Sequence, residues 1–280
     1  MYEITGDVTG LKRPAVLAAF EGWVSAGSVG TEAADHVAGD GAVVAVFDGD
    51  ALFDYRVNRP TATFDDGRLD DIEWPAVTLR RRTIDGRDLL VLSGPEPNWQ
   101  WKAFASSAAG LCRDLGATVF VTLGGIPWAT AHTRPTVVVT TGDQDGLADD
   151  ANPPDGILQV PAAVALAVSG AVRDAGIGTV GLWARVPHYV AATYYPGIVA
   201  LVERLSRLLG IAIPLGSLVD QAAEQRRRLA ALVEEQPEAQ AMIERMEALA
   251  DAEDGAVSGE DIAQEIERFL RQAGEDDGLG

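Results

Sequence analysis

A chain of 280 residues, 47% hydrophobic and 23% charged, has the make-up of a globular protein able to bury a substantial core. Its formal net charge of -20 repels phosphate backbones and anionic lipid, which argues against nucleic-acid or membrane-surface binding. The single cysteine, Cys112, excludes an internal disulfide and a thiolate metal cluster, and its apolar helical setting reads as core.

No basic segment followed by a long apolar stretch opens the sequence. No apolar run approaches the roughly 20 residues that span a bilayer, so a cytoplasmic location is expected. Only Lys12 and Lys102 are lysines, whereas arginine, alanine and aspartate abound. That bias looks more like a GC-rich genome than a functional choice, although a salt-adapted organism would also be acidic and lysine-poor.

The first apolar run, residues 15–20, predicts a strand that enters the turn FEGWVSAGSVG at residues 20–30. Glu21 reads as buried there, with Trp23 and Ser25 beside it, and a helix is expected over 28–38. Gly22 and Gly27 have phosphate-loop spacing, but Ser28 and Val29 stand where Lys and Ser/Thr are required. The dinucleotide pattern and the G-x-S-x-G nucleophile elbow also fail. Two readings remain: a generic anion site at a helix N-terminus, or glycines that serve only to turn the chain.

A second strand is expected at 42–47, followed by FDYRVNRP at 53–60. Asp54, Arg56 and Arg59 form either a local ion-pair network or a clamp for a planar anion. Strands at 76–79 and 88–92 lead to SGPEPNWQW, where Glu96 stands on a proline-stiffened turn before a helix at 99–115. Glu96 reads as an acid–base group or as a partner for the positive end of that helix, and Trp99 opens the helix.

The strand at 118–123 ends in GGIPWATAHTRP, which holds His132 and Arg134; a strand at 136–140 follows. The stretch of acidic residues Asp143, Asp145, Asp149, Asp150 and Asp155 fails the calcium-loop pattern and reads as solvated loop. A helix over 158–175 and a strand at 179–183 lead to VPHYVAATYYPG, with His188, and then to a helix over 191–209. The histidines lie far apart in sequence without metal-ligand spacing, so no metal is expected. Three of these clusters place a glutamate or histidine at the carboxyl end of a strand, where ligands bind in open α/β sheets.

Continuous apolar strands alternating with helices predict a three-layer α/β/α core over 1–214, with a central mostly parallel or mixed sheet. After Pro214 the composition turns helical and charged. Helices are expected over 217–235, 238–251 and 259–272, a C-terminal all-helical extension over 215–273, then a flexible acidic tail over 274–280. Pro237 suits a first helical position, and Ser258 with Asp261 resembles a capping box.

Together, AAFEGWVSAGSVG, DYRVNRP, GPEPNWQWKAF, HTRP and VPHYVAATYYPGIVALVERL resemble the proteasome assembly chaperone family, type-two branch, as found in actinobacteria. The blocks run in the family's order over residues 14–209, and SGEDIAQEIERFL resembles the C-terminal extension of actinobacterial members. The family often has Asn-Asp after the Gly-Trp, where this chain has Val24 and Ser25. The resemblance implies a fold similar to nucleoside phosphorylases and peptidyl-tRNA hydrolase-like proteins. It also implies a homo-oligomer, a trimer being the favoured count, and a chaperone-like role with proteasome subunits as clients. It brings no catalytic residues and no cofactor. The rival expectation is a nucleosidase- or hydrolase-like enzyme whose pocket gathers Glu21, Glu96, His132, Arg134 and His188.

Overall fold

The computed structural model describes residues 1–142, 157–234 and 236–252, with side-chain environments as far as residue 248. The acidic stretch from Asp143 to Asp155, the helix expected over 259–272 and the tail over 274–280 lie outside the described residues.

Eight strands form one mixed sheet: β1 (Tyr2–Ile4), β2 (Ala15–Glu21), β3 (Ala42–Phe47), β6 (Thr78–Ile84), β7 (Arg87–Pro95), β8 (Val119–Trp128), β9 (Val138–Gly142) and β10 (Thr179–Pro187). Their spatial order is β1-β3-β6-β7-β2-β8-β10-β9. β2 runs parallel to both β7 and β8, whereas β6 is antiparallel to β7 and to β3. The α/β fold with a mixed central sheet is therefore as the alternation of strands and helices implied. β2, β8 and β10 are buried along nearly their whole length, which is why they read as unbroken apolar runs rather than alternating ones.

Helices α1 (Val29–Ala38), α3 (Trp101–Asp114), α4 (Val164–Asp174) and α5 (Tyr195–Leu209) occupy the four helical patterns. Helix α6 (Leu218–Glu234) and helix α7 (Pro237–Ala252) follow, the latter starting at Pro237. A one-turn helix α2 (Gly49–Leu52) is capped by Asp48, whose carboxylate accepts from Ala51 N–H. Strands β4 (Thr61–Asp65) and β5 (Arg68–Glu73) pair only with each other, as a ribbon outside the main sheet.

The chain divides into two compact units. The first comprises Met1–Trp23, Ala34–Thr122 and Ala162–Val180. Its core packs Val16, Ala18 and Phe20 of β2 with Leu90 and Leu92 of β7 and with Phe104, Ala108 and Cys112 of α3. Phe104 meets Phe20 and Phe47 edge-on at centroid distances of 5.9 and 4.9 Å. Cys112 belongs to this core, and burial pushes its thiol up to about 12. The second unit takes residues 24–33 with the described residues from 123 to 161 and from 181 onward. Within it α7 packs Ile243 and Met246 against Ala131 and Tyr189.

Candidate functional site

The candidate residues fall into two groups, one in each unit. In the first unit, β2 and β7 run in register to their ends, where Glu21 lies opposite Pro95. Glu21 is exposed, a correction to the reading of it as buried: it is the last residue of β2, where the buried run ends and the chain turns at Gly22. Gly22 and Gly94 then turn the chain at φ of 126° and 152°, a region open to glycine.

Those turns bring Glu96 against the main chain. Its carboxylate accepts from Val164 N–H at 2.7 Å, the first residue of α4, and from Trp23 N–H. A Cβ on Gly22 would lie 2.8 Å from Glu96 Oε2, so glycine is what permits the approach. Burial raises the Glu96 pKa, and the two N–H donors oppose that rise. Glu96 thus serves a helix N-terminus, that of α4 rather than of the helix directly following it in sequence.

Beside it, two loops that looked separate in sequence are joined by Asn98. Asn98 Oδ1 accepts from Asp54 N–H at 2.8 Å, and Asn98 and Trp99 both donate N–H to Leu52 O. Asp54 holds Arg56 through Nε at 2.9 Å and Nη2 at 2.7 Å, which lowers the Asp54 pKa to about 2. Arg59, Trp23 and Trp99 are exposed, and Arg59 enters no ion pair among the described residues. Asn98 carried no sequence signal as a functional residue, because its role is to clip two backbones together across 44 positions.

In the second unit, Ser25 forms a bridge with Gly125, and Val24 O accepts from Gly125 N–H at 2.8 Å. Gly30 lies so close to β8 that a Cβ would stand 2.5 Å from Leu123 O. Gly27, at φ 57°, passes its carbonyl to Tyr194 N–H at 2.9 Å. The glycines of this loop turn the chain and pack it closely against β8.

His132 is 1% exposed. Its N–H donates to the Tyr189 hydroxyl at 2.8 Å, and its Nδ1 lies 2.9 Å from the same oxygen. A hydroxyl that accepts the main-chain N–H and donates to Nδ1 leaves the ring proton on Nε2, which has no partner among the described residues. Burial lowers the His132 pKa, against the pull of Glu247. Burial likewise pushes Tyr189 up to about 12. Arg134 closes the turn through its N–H to Ala131 O, and Thr133 donates its hydroxyl to Glu247 of α7.

His188 stands next to this pair, its ring 5.6 Å from Tyr189, and its N–H donates to Trp128 O at 3.1 Å. Arg185 stacks on Trp128 at 4.3 Å from the ring centre. Tyr189, Trp128, Arg185 and Glu247 were not singled out from sequence; three lie on strands or loops already marked by a histidine, while Glu247 comes from α7. A surface pocket of about 440 Å³, lined by Met1, Tyr2, Glu3, Val46, Phe47 and Asp48, contains none of the candidate residues. Among the described residues no three His, Cys, Asp or Glu side chains come together as a metal site. No described helix is long and apolar enough to cross a membrane.

Residues 19–233 of this chain match the PAC2 family, over a span that takes in every residue of both groups except Glu247. The chain belongs to the PAC2 family. A PAC2 family protein from Streptomyces avermitilis is 32% identical, with a TM-score of 0.75 over 82% of this chain and 99% of that one. A Mycobacterium tuberculosis proteasome-assembly chaperone homologue is 30% identical, TM-score 0.76, over 82% and 99%. A second Mycobacterium tuberculosis protein, of unknown function, is 27% identical, TM-score 0.85, and covers 96% of each chain. No curated protein matches the chain significantly. The PAC2 assignment agrees with the blocks read from sequence, and several of their residues are now seen holding backbones together: Glu96, Asn98, Ser25 and Gly30.

Proposed function

We propose that this PAC2 protein is a non-enzymatic, assembly-chaperone-like binding protein that self-associates and docks a protein partner, with proteasome subunits as the partner class. The observation that carries this reading is the 30% identity, along 82% of the chain, with a proteasome-assembly chaperone homologue. The state of the acid–base candidates supports it. Glu96 is engaged by two main-chain N–H groups, and the His132 ring is buried against Tyr189. A glutamate so engaged caps the N-terminus of α4, a structural task. The proposed location is the cytoplasm, and residues 215–273 are proposed as a helical extension that contributes to docking.

Affinity isolation of the tagged full-length chain from its own organism, with identification by mass spectrometry, tests the partner class. Recovery of 20S proteasome subunits, lost in competition with untagged chain, is expected. Recovery of the chain alone overturns the chaperone reading.

A further inference from the structure

Strand β1 forms one edge of the main sheet, with β3 beside it. Its register decides which main-chain groups stay open. Asp48 donates N–H to Met1 O and Thr5 donates N–H to Val44 O, both at 2.9 Å, so Met1, Glu3 and Thr5 turn their main chain towards β3. In an antiparallel pair the residues between them point the other way. Tyr2 and Ile4 therefore aim N–H and C=O at the open edge, where such groups are a template for another strand.

Side chains alternate across the same strand. Tyr2 and Ile4 share one face, where the Tyr2 ring meets Phe47 at 5.5 Å between centroids and Ile4 is 42% exposed. Met1, Glu3, Val46 and Asp48 share the other, with Glu3 directly opposite Val46. The surface pocket of about 440 Å³ takes in all four of them. Asp48 accepts from Ala51 N–H, and neither Glu3 nor Asp48 is in an ion pair among the described residues. A charge on a short edge strand can serve only as a guard against unwanted pairing. A guard needs no cavity, and here two carboxylates line one together with the apolar Met1 and Val46.

We propose that β1 docks an extended segment of a protein partner by strand addition, the segment alternating apolar residues with arginine or lysine. Its main chain bonds to Tyr2 and Ile4, and its apolar side chains continue the face those two residues begin. A basic side chain on the other face lays its stem on Met1 and Val46 and brings its head to Glu3 and Asp48. Charge selects this occupant over a second copy of the chain. Pairing β1 with β1 through Tyr2 and Ile4 sets Glu3 opposite Glu3, which is unfavourable, whereas a net charge of -20 draws a basic segment in. The proposal rests on the partner docking proposed above and names its surface and the chemistry of the docked segment.

The test titrates the full chain into a fluorescently labelled, amidated heptapeptide that alternates valine with arginine, read by anisotropy. The same peptide with glutamate for arginine is the comparison. The arginine peptide is expected to bind at least about tenfold more tightly, by a margin that narrows between about 0.1 M and about 1 M salt. Glu3→Lys, at an exposed position, is expected to weaken its binding at least about fivefold. Ile4→Pro removes an edge-facing N–H and spares those that β1 and β3 share, and is expected to weaken binding about tenfold, with circular dichroism checking the fold. Two peptides N-methylated on alternate residues, one in each phase, leave the protein untouched; loss of binding by one and not the other is expected. Absence of binding, or equal binding of the arginine and glutamate peptides, overturns the proposal. Binding unchanged by Glu3→Lys overturns the carboxylate edge, and binding that survives both Ile4→Pro and N-methylation overturns strand addition. A fall in the chain's own mass by light scattering in Ile4→Pro marks β1 as a contact between copies and overturns the choice of occupant. Recovery of proteasome subunits in the isolation experiment is independent of these outcomes, so the wider docking reading stands or falls separately.

Discussion

At the scale of single residues, Glu96 and His132 respond to pH in opposite directions. The folded chain raises the Glu96 pKa above its ordinary 4.5 through burial, so it holds that proton at a pH where the unfolded chain has released it. Stability from this group is therefore greatest on the acid side and falls as pH rises through the window above 4.5. Urea denaturation of wild type and Glu96→Gln across that window is expected to show the slope in wild type only. Glu96→Ala, which leaves Val164 and Trp23 N–H without their acceptor, is expected to cost about 1–2 kcal/mol.

His132 behaves conversely. Its folded pKa is lowered from 6.5, chiefly by burial, so the unfolded chain takes up the proton first on acidification. Stability is lost as pH falls below 6.5, with Tyr189 and Glu247 the titratable groups facing the ring. Denaturation midpoints of wild type and His132→Asn at descending pH check this: the gap between them should narrow or invert as pH drops. The chemistry of both residues was legible as acid or base from sequence. Their engagement was not, because the partners, Val164 and Tyr189, lie 68 and 57 positions away.

At the scale of elements, the core strands and helices were legible because burial on both faces leaves continuous apolar runs. Strand ends were read short: β8 extends to Trp128 and β10 to Pro187, since loop-like glycines and prolines there still sit in the sheet. β1 and the β4–β5 ribbon were missed for a different reason. They are short and exposed, with Asp65 to Glu73 reading as polar loop rather than as strand. The glycines of FEGWVSAGSVG invite a ligand-loop reading by spacing alone, and only the approach of Gly30 to Leu123 O reveals their use in packing.

Two glycine substitutions separate these uses. Gly30→Ala forces a Cβ against fixed backbone and is expected to lower stability by about 1–3 kcal/mol. Gly110→Ala sits within α3 with nothing within 4 Å of the added carbon, and is expected to raise stability by about 0.5–1 kcal/mol. Thermal denaturation of the two variants, read against wild type, should move in opposite directions.

At the scale of the whole molecule, net charge and family together support the proposed kind of partner. A net charge of -20 repels polyanions, which is the physical ground for proposing a protein partner. Membership of the PAC2 family was legible in five blocks, and in three of them Ser25, Asp54, Glu96 and Asn98 tie separate stretches of chain together. Spacing gave no sign of the exposed Phe64–Leu69 pair, which becomes one feature only when β4 and β5 come together.

The proposed function, binding of proteasome subunits by this PAC2 chain, has one direct test. The most direct measurement is assembly of 20S particles from recombinant α- and β-subunits, followed by native gel with and without the full-length chain. The account predicts an intermediate that contains the chain together with proteasome subunits and is absent from the mature particle. Subunits that assemble with the same intermediates and rate, none of them containing the chain, would contradict it.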